Sequence, residues 1–191
     1  MMTNDRKTEV NMVKVSSSPV LQNHHLRAIR FWLGVVMAGL ILSGVTAFPL
    51  ESELHFFLIL LQSAPLRPFA ELTHLLPWIS RVHDALASTN LYYPFLAYGT
   101  DWLAFAHLVI AVAFIGPYRD PIRNKWIITF GLIACAGVIP LALIAGQVRG
   151  LPIVWRLIDC SFGVFGGIPL ILCRRHILEM ERIEAHAGSS R

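Results

Sequence analysis

The sequence predicts an all-α polytopic membrane protein: four transmembrane helices and an outward-facing amphipathic segment between the first two. Three observations carry this. Of 191 residues, 55% are hydrophobic and 15% charged, with a mean hydropathy of +0.58, whereas a soluble domain carries about a quarter charged residues. Four apolar runs each approach the roughly 20 residues that one helical crossing needs. Lys and Arg also fall unevenly on the two sides those crossings define, twelve against four. The length suits one bundle without a second soluble domain of ordinary size.

Residues 1–26 are polar, include Ser16, Ser17, Ser18 and Pro19, show no apolar period, and read as a flexible cytoplasmic tail. The transmembrane domain follows over 27–175. Arg27 and Arg30 precede the first span, 31–50. A secretory signal with Val45 and Ala47 at a cleavage-like spacing is the competing reading. The long polar leader, and an apolar run exceeding the roughly 7–15 residues of a signal core, favour a span.

The external segment, 51–93, opens with Glu51 and Glu53, then His55 to Leu61, apolar but too short to cross and suited to an interfacial or re-entrant piece. Pro68 can occupy a first helical position. From there Phe69, Leu72, Leu76, Ile79 and Val82 recur at helix spacing, opposite Glu71, His74 and Arg81, which predicts an amphipathic helix along the membrane, bent at Pro77.

Tyr92, Tyr93 and Phe95 form an aromatic collar before the second span, 95–118. The loop of Arg119, Asp120, Pro121, Arg123 and Lys125 leads to the third span, 126–146, where Pro140 can kink the helix. A turn at Gln147–Pro152 precedes the fourth span, 153–173, and Arg174 and Arg175 open a polar helical tail over 176–191. The leader carries five Lys and Arg, the 119–125 loop three and the C-terminal tail four; Arg67, Arg81, Arg149 and Arg156 lie on the other side. Both termini should therefore face the cytoplasm of a cell inner (plasma) membrane. No inverted repeat of the kind that builds transporters is apparent.

Charge inside a span is costly and marks a polar site. Arg156, Asp159, Gly163, Gly166, Gly167 and Leu170 share one face of the fourth span, and Gly163 with Gly167 makes a small-xxx-small pair that admits a neighbouring helix. Asp101 lies at matching depth on a small-residue face of the second span, so an ion pair from Asp101 to Arg156 or Arg149 is expected. Its roles are either a register-fixing contact or a functional pocket. Gly34 with Ala38, Gly39 with Ser43, and Gly131 with Cys135 fit tight packing in the bundle or contact with another protein.

His107 lies roughly 9 Å deeper than Asp101 by helical rise. Spans one, three and four, as bounded above, hold no second histidine, which disfavours a bis-histidine haem, and a neutral His107 bonded to a neighbouring hydroxyl or carbonyl is expected. His55, Glu71, His74, His83 and Asp84 lack a metal-ligand spacing and read as polar-face residues. Cys135, Cys160 and Cys173 sit in apolar runs and read as buried hydrophobes without a disulfide or thiolate site. No nucleophile elbow or phosphate loop is present, and no basic helix interleaved with aromatics suggests nucleic acid.

The stretches YPFLAYGTDWLAFAH (Tyr93–His107), GPYRDPIRN (Gly116–Asn124) and WRLIDCSFG (Trp155–Gly163) resemble those of small, uncharacterised bacterial inner-membrane proteins. The resemblance extends over about half the chain. It implies four spans and an outer polar cluster, and it transfers no activity, cofactor or catalytic residue. The expected function is non-enzymatic binding or assembly, with the lipid bilayer, a membrane-protein partner or a second copy as partners. The alternatives are a transport or sensing module that binds a proton, anion or small ligand at the Asp101, Arg156 and Asp159 cluster, and membrane-surface hydrolysis.

Overall fold

The computed structural model describes the backbone of residues 3–188 and the side chains of 21–186. Nine α-helices are described: α1 (Thr3–Ala47), α2 (Leu50–Gln62), α3 (Arg67–Leu72), α4 (Leu75–Tyr92), α5 (Tyr98–Ala113), α6 (Ile115–Arg119), α7 (Lys125–Pro140), α8 (Gly146–Val148) and α9 (Ile153–Gly188). A 3₁₀ turn, Pro94–Ala97, leads into α5, and a π-helical segment, Leu141–Ala145, joins α7 to α8. No strand occurs among the described residues.

Four helical rods are long and apolar enough to cross a membrane: Leu21–Ala47, Pro94–Arg119, Lys125–Val148 and Ile153–His186. The chain is thus an all-α, multi-pass membrane protein. The first rod ends before residue 50 because Pro49 separates α1 from α2. At its other end α1 reaches back to Thr3, so the polar stretch expected to be a loose tail continues the first helix; residues 1 and 2 lie outside the described residues. An apolar span supplies the nucleus, and Arg6, Lys7, Glu9, Met12 and Lys14 propagate it at little cost.

Helix α1 packs on α5 along one side and on α9 along another, and α7 packs on the far side of α9, giving the spatial order α5, α1, α9, α7. At the end that carries the 119–125 loop, hereafter the basic end, all four rods meet. Ile29 and Leu33 of α1, Phe114 just beyond α5, Ile128 of α7 and Leu170, Cys173 and Ile177 of α9 form one buried cluster. Lipid tails are as apolar as leucine, so within the bilayer close contact and dispersion must hold the rods together. Glycine supplies that closeness. A Cβ on Gly44 would stand 2.9 Å from the Ala104 carbonyl oxygen of α5, and one on Gly131 would stand 2.8 Å from Leu170 Cδ1.

Residues 51–93 fold as a hairpin of α2 against α4, with α3 at its bend. Leu54, Leu61, Ala70 and Ile79 make a second buried cluster, joined by Trp155 from the start of α9, which ties the hairpin to the fourth rod. The expected bend at Pro77 is replaced by a break at His74, whose φ of 54° is left-handed. With α4 beginning at Leu75, Pro77 falls in the first turn, where its missing N–H costs nothing.

Candidate functional site at the end opposite the basic loops

Asp101 is the fourth residue of α5 and Arg156 the fourth of α9, so both lie in a first turn at the same end of the bundle. They do not meet. No ion pair joins Asp101 to Arg156 or Arg149 among the described residues. The expected cross-helix pair fails because α5 packs on α1, whereas the α9 face that carries Arg156 packs on α7 and the π segment.

Each group has a different local counterpart. Asp101 sits in the first turn of α5, toward the end of the second rod where the helix dipole favours negative charge. Arg156 stands at the same end of its own helix, where the dipole opposes a cation. Its Nη1 instead donates to the Leu143 carbonyl oxygen at 3.4 Å, in the π-helical segment of the third rod. Pro140 closes α7, and the segment that follows it, Leu141–Ala145, is π-helical, a geometry that occurs mostly as single-turn insertions in α-helices. Gly146 makes the contact possible: a Cβ there would come 2.7 Å from both Cγ and Cδ of Arg156.

Arg156 Nε is buried and has no partner among the described residues. Asp159, one turn along α9, is half-buried and forms no ion pair among them either. Arg149 is exposed beside the turn that ends α8. Gly150 takes the left-handed φ of 72°, and Leu151 N–H reaches the Gly146 carbonyl while Gly150 N–H reaches that of Gln147. This closure ends α8 and turns the chain toward α9.

His107 Nδ1 donates to the Leu103 carbonyl four residues back, at 2.8 Å, and so is held on its own helix. Gly163 and Gly167 face Cys135 of α7. A Cβ at Gly163 would lie 2.5 Å from the Cys135 carbonyl oxygen, so the two helices can approach this closely only with glycine there. Among the outer histidines, the rings of His55 and His83 stand 5.6 Å apart, and His83 lies 3.5 Å from Asp84. No group of three metal-ligating side chains forms among the described residues.

Two features escaped the sequence reading. A cavity of about 250 Å³ opens where α1 passes into α2, lined by Glu51, Ser52, Asn90 and Thr100. Asn90 donates there to Glu51 at 2.7 Å. Partners 39 positions apart on a hairpin of unknown register leave no signal in sequence. At the basic end, His25 and His176 meet across α1 and α9; bounding the spans at 31 and 173 had set both aside as tail residues.

No family model, curated protein or solved structure matches the chain. Fold and site therefore define a class, a multi-pass helical membrane protein with a polar end, and they define it on their own.

Proposed function

We propose that the protein is a non-enzymatic component of a cell inner membrane that acts by assembling with another copy or with a second membrane protein, with both termini on the cytoplasmic side. The supporting observation is the bare small-residue face of α1. Gly131 and Gly163 are covered by neighbouring rods, but a Cβ at Gly34 or Gly39 would meet nothing within 4 Å. Ala38, Gly39, Leu42 and Ser43 are exposed although α1 packs against both α5 and α9. Small residues allow a partner helix close approach, and they gain nothing from lipid. The orientation reading rests on the basic groups collected at one end.

Single cysteines test this in native membranes. Oxidation should cross-link Ser43→Cys, whereas Leu40→Cys, which packs against the core, should stay uncrosslinked. Gly39→Leu should abolish the higher-mass species. Equal behaviour of the two cysteine variants, with no species sensitive to Gly39→Leu, would remove the reading.

A small-ligand reading draws on a different observation, the unpaired Arg156 Nε. A buried guanidinium nitrogen without an acceptor is costly, and an anion reaching it would relieve that cost. Radiolabelled or calorimetric anion binding that disappears in Arg156→Gln would favour this reading over assembly.

A further inference from the structure

At the basic end, α7 and α9 diverge around a second cavity of about 250 Å³ whose lining includes Lys125, Trp126, Thr129, Arg174 and Ile177. Its two halves differ in chemistry. The floor, with Ile128, Ile177 and Leu178, continues into the lipid-facing surface, where Leu178 and Trp126 are exposed. The rim holds two cations. Lys125 Nζ is 2.7 Å from Glu181 Oε1, with 61% of its side chain still exposed. Arg174 is exposed and makes no hydrogen bond or ion pair among the described residues. Trp126, at the start of the third rod, marks the level where an indole prefers to sit, between headgroups and acyl chains.

We propose that this cleft is a binding site for an anionic phospholipid of the leaflet at the basic end, with the phosphate between Arg174 and Lys125 and an acyl chain on the Ile177 and Leu178 floor. Charge complementarity selects the occupant. A zwitterionic headgroup brings its own cation to a rim that already holds two, whereas a headgroup with net negative charge brings none. The apolar floor requires a chain attached to that phosphate. Arg174 offers a planar fork of donors to phosphate oxygens. Lys125 contributes less while Glu181 holds it, which gives the site an internal competitor.

The test is native mass spectrometry of the full-length protein released from vesicles containing equal phosphatidylglycerol and phosphatidylethanolamine of matched chains. The wild type should retain phosphatidylglycerol preferentially. Arg174→Gln should lower that preference about fivefold, from roughly 1 kcal/mol per cation near the headgroups, and Lys125→Gln should lower it by less, because Glu181 already holds that ammonium. Glu181→Gln should raise it by freeing Lys125, a gain that a misfolded variant would not show. Arg175→Gln removes a neighbouring cation that does not line the cleft and should change it less than twofold. Absence of a preference in the wild type, or an equal fall in all three cation variants, would overturn the site. Competition by free glycerol phosphate at the same concentration would overturn the lipid as its occupant.

Discussion

His25 Nδ1 and His176 Nδ1 lie 2.9 Å apart, joining α1 to α9 across 151 positions of chain. One ring must donate and the other accept, so the contact exists only while at least one imidazole is neutral. His24 places its ring 5.7 Å from that of His25, beside the pair. With both bonded rings protonated neither nitrogen can accept, so the bond is lost and like charges face each other. The linkage therefore favours association of the two helix ends at higher pH, and that association is lost as pH falls. Protease cleavage within α9 beyond Arg175 should accelerate at acidic pH in the wild type, and His176→Gln should flatten this dependence. A wild-type profile that matches His176→Gln would refute the coupling.

Asp101 and Arg156 should behave as independent sites. At the end where they lie, α5 packs on α1 and α9 on α7 and the π segment, so Asp101→Asn and Arg156→Gln should combine additively within about 0.5 kcal/mol. Thermal unfolding in detergent of both singles and the double variant measures the coupling. A coupling above about 1 kcal/mol would restore the ion pair that the fold denies.

Gly163→Ala should cost about 1–3 kcal/mol, because the added methyl meets the Cys135 backbone carbonyl and not a side chain that can swing away. Gly39→Ala, facing open space, should leave monomer stability unchanged. The midpoint of unfolding should separate the two variants; equal midpoints would argue against this helix crossing.

Ile79→Ala should loosen the α2–α4 hairpin while leaving the four rods intact. Ile79 is fully buried in the hairpin cluster, which shares none of its buried residues with the cluster at the basic end. Removing that much buried side chain costs about 2–5 kcal/mol in a packed core. Limited proteolysis should show faster cleavage near Ser63–Leu66, with the unfolding midpoint of the bundle little changed. A joint loss of both would mean that the hairpin and the bundle are one cooperative unit.

Hydropathy located all four rods, and bounded the second and third to within two residues, because the requirement that every backbone group in lipid bond within its own helix leaves one solution per apolar run. The same argument could not place the helix ends beyond the apolar boundary, which hid the His25 and His176 contact. The glycines were legible as packing residues. Which of them faced a neighbour was not, since Gly39 and Gly163 have similar surroundings in sequence and opposite ones in the fold.

The sequence by itself determined the helical element type, the four apolar runs, the charge asymmetry and the end of the bundle at which Asp101 and Arg156 lie, all of which follow from solvation along one dimension of the chain. Only the tertiary structure decided the lateral order α5, α1, α9, α7. That order gave Arg156 a carbonyl in place of a carboxylate, opened a cleft between Lys125 and Arg174, and left one face of α1 bare. Lateral order depends on which surfaces interlock most closely, a property of shape that equal depth and equal hydropathy do not encode.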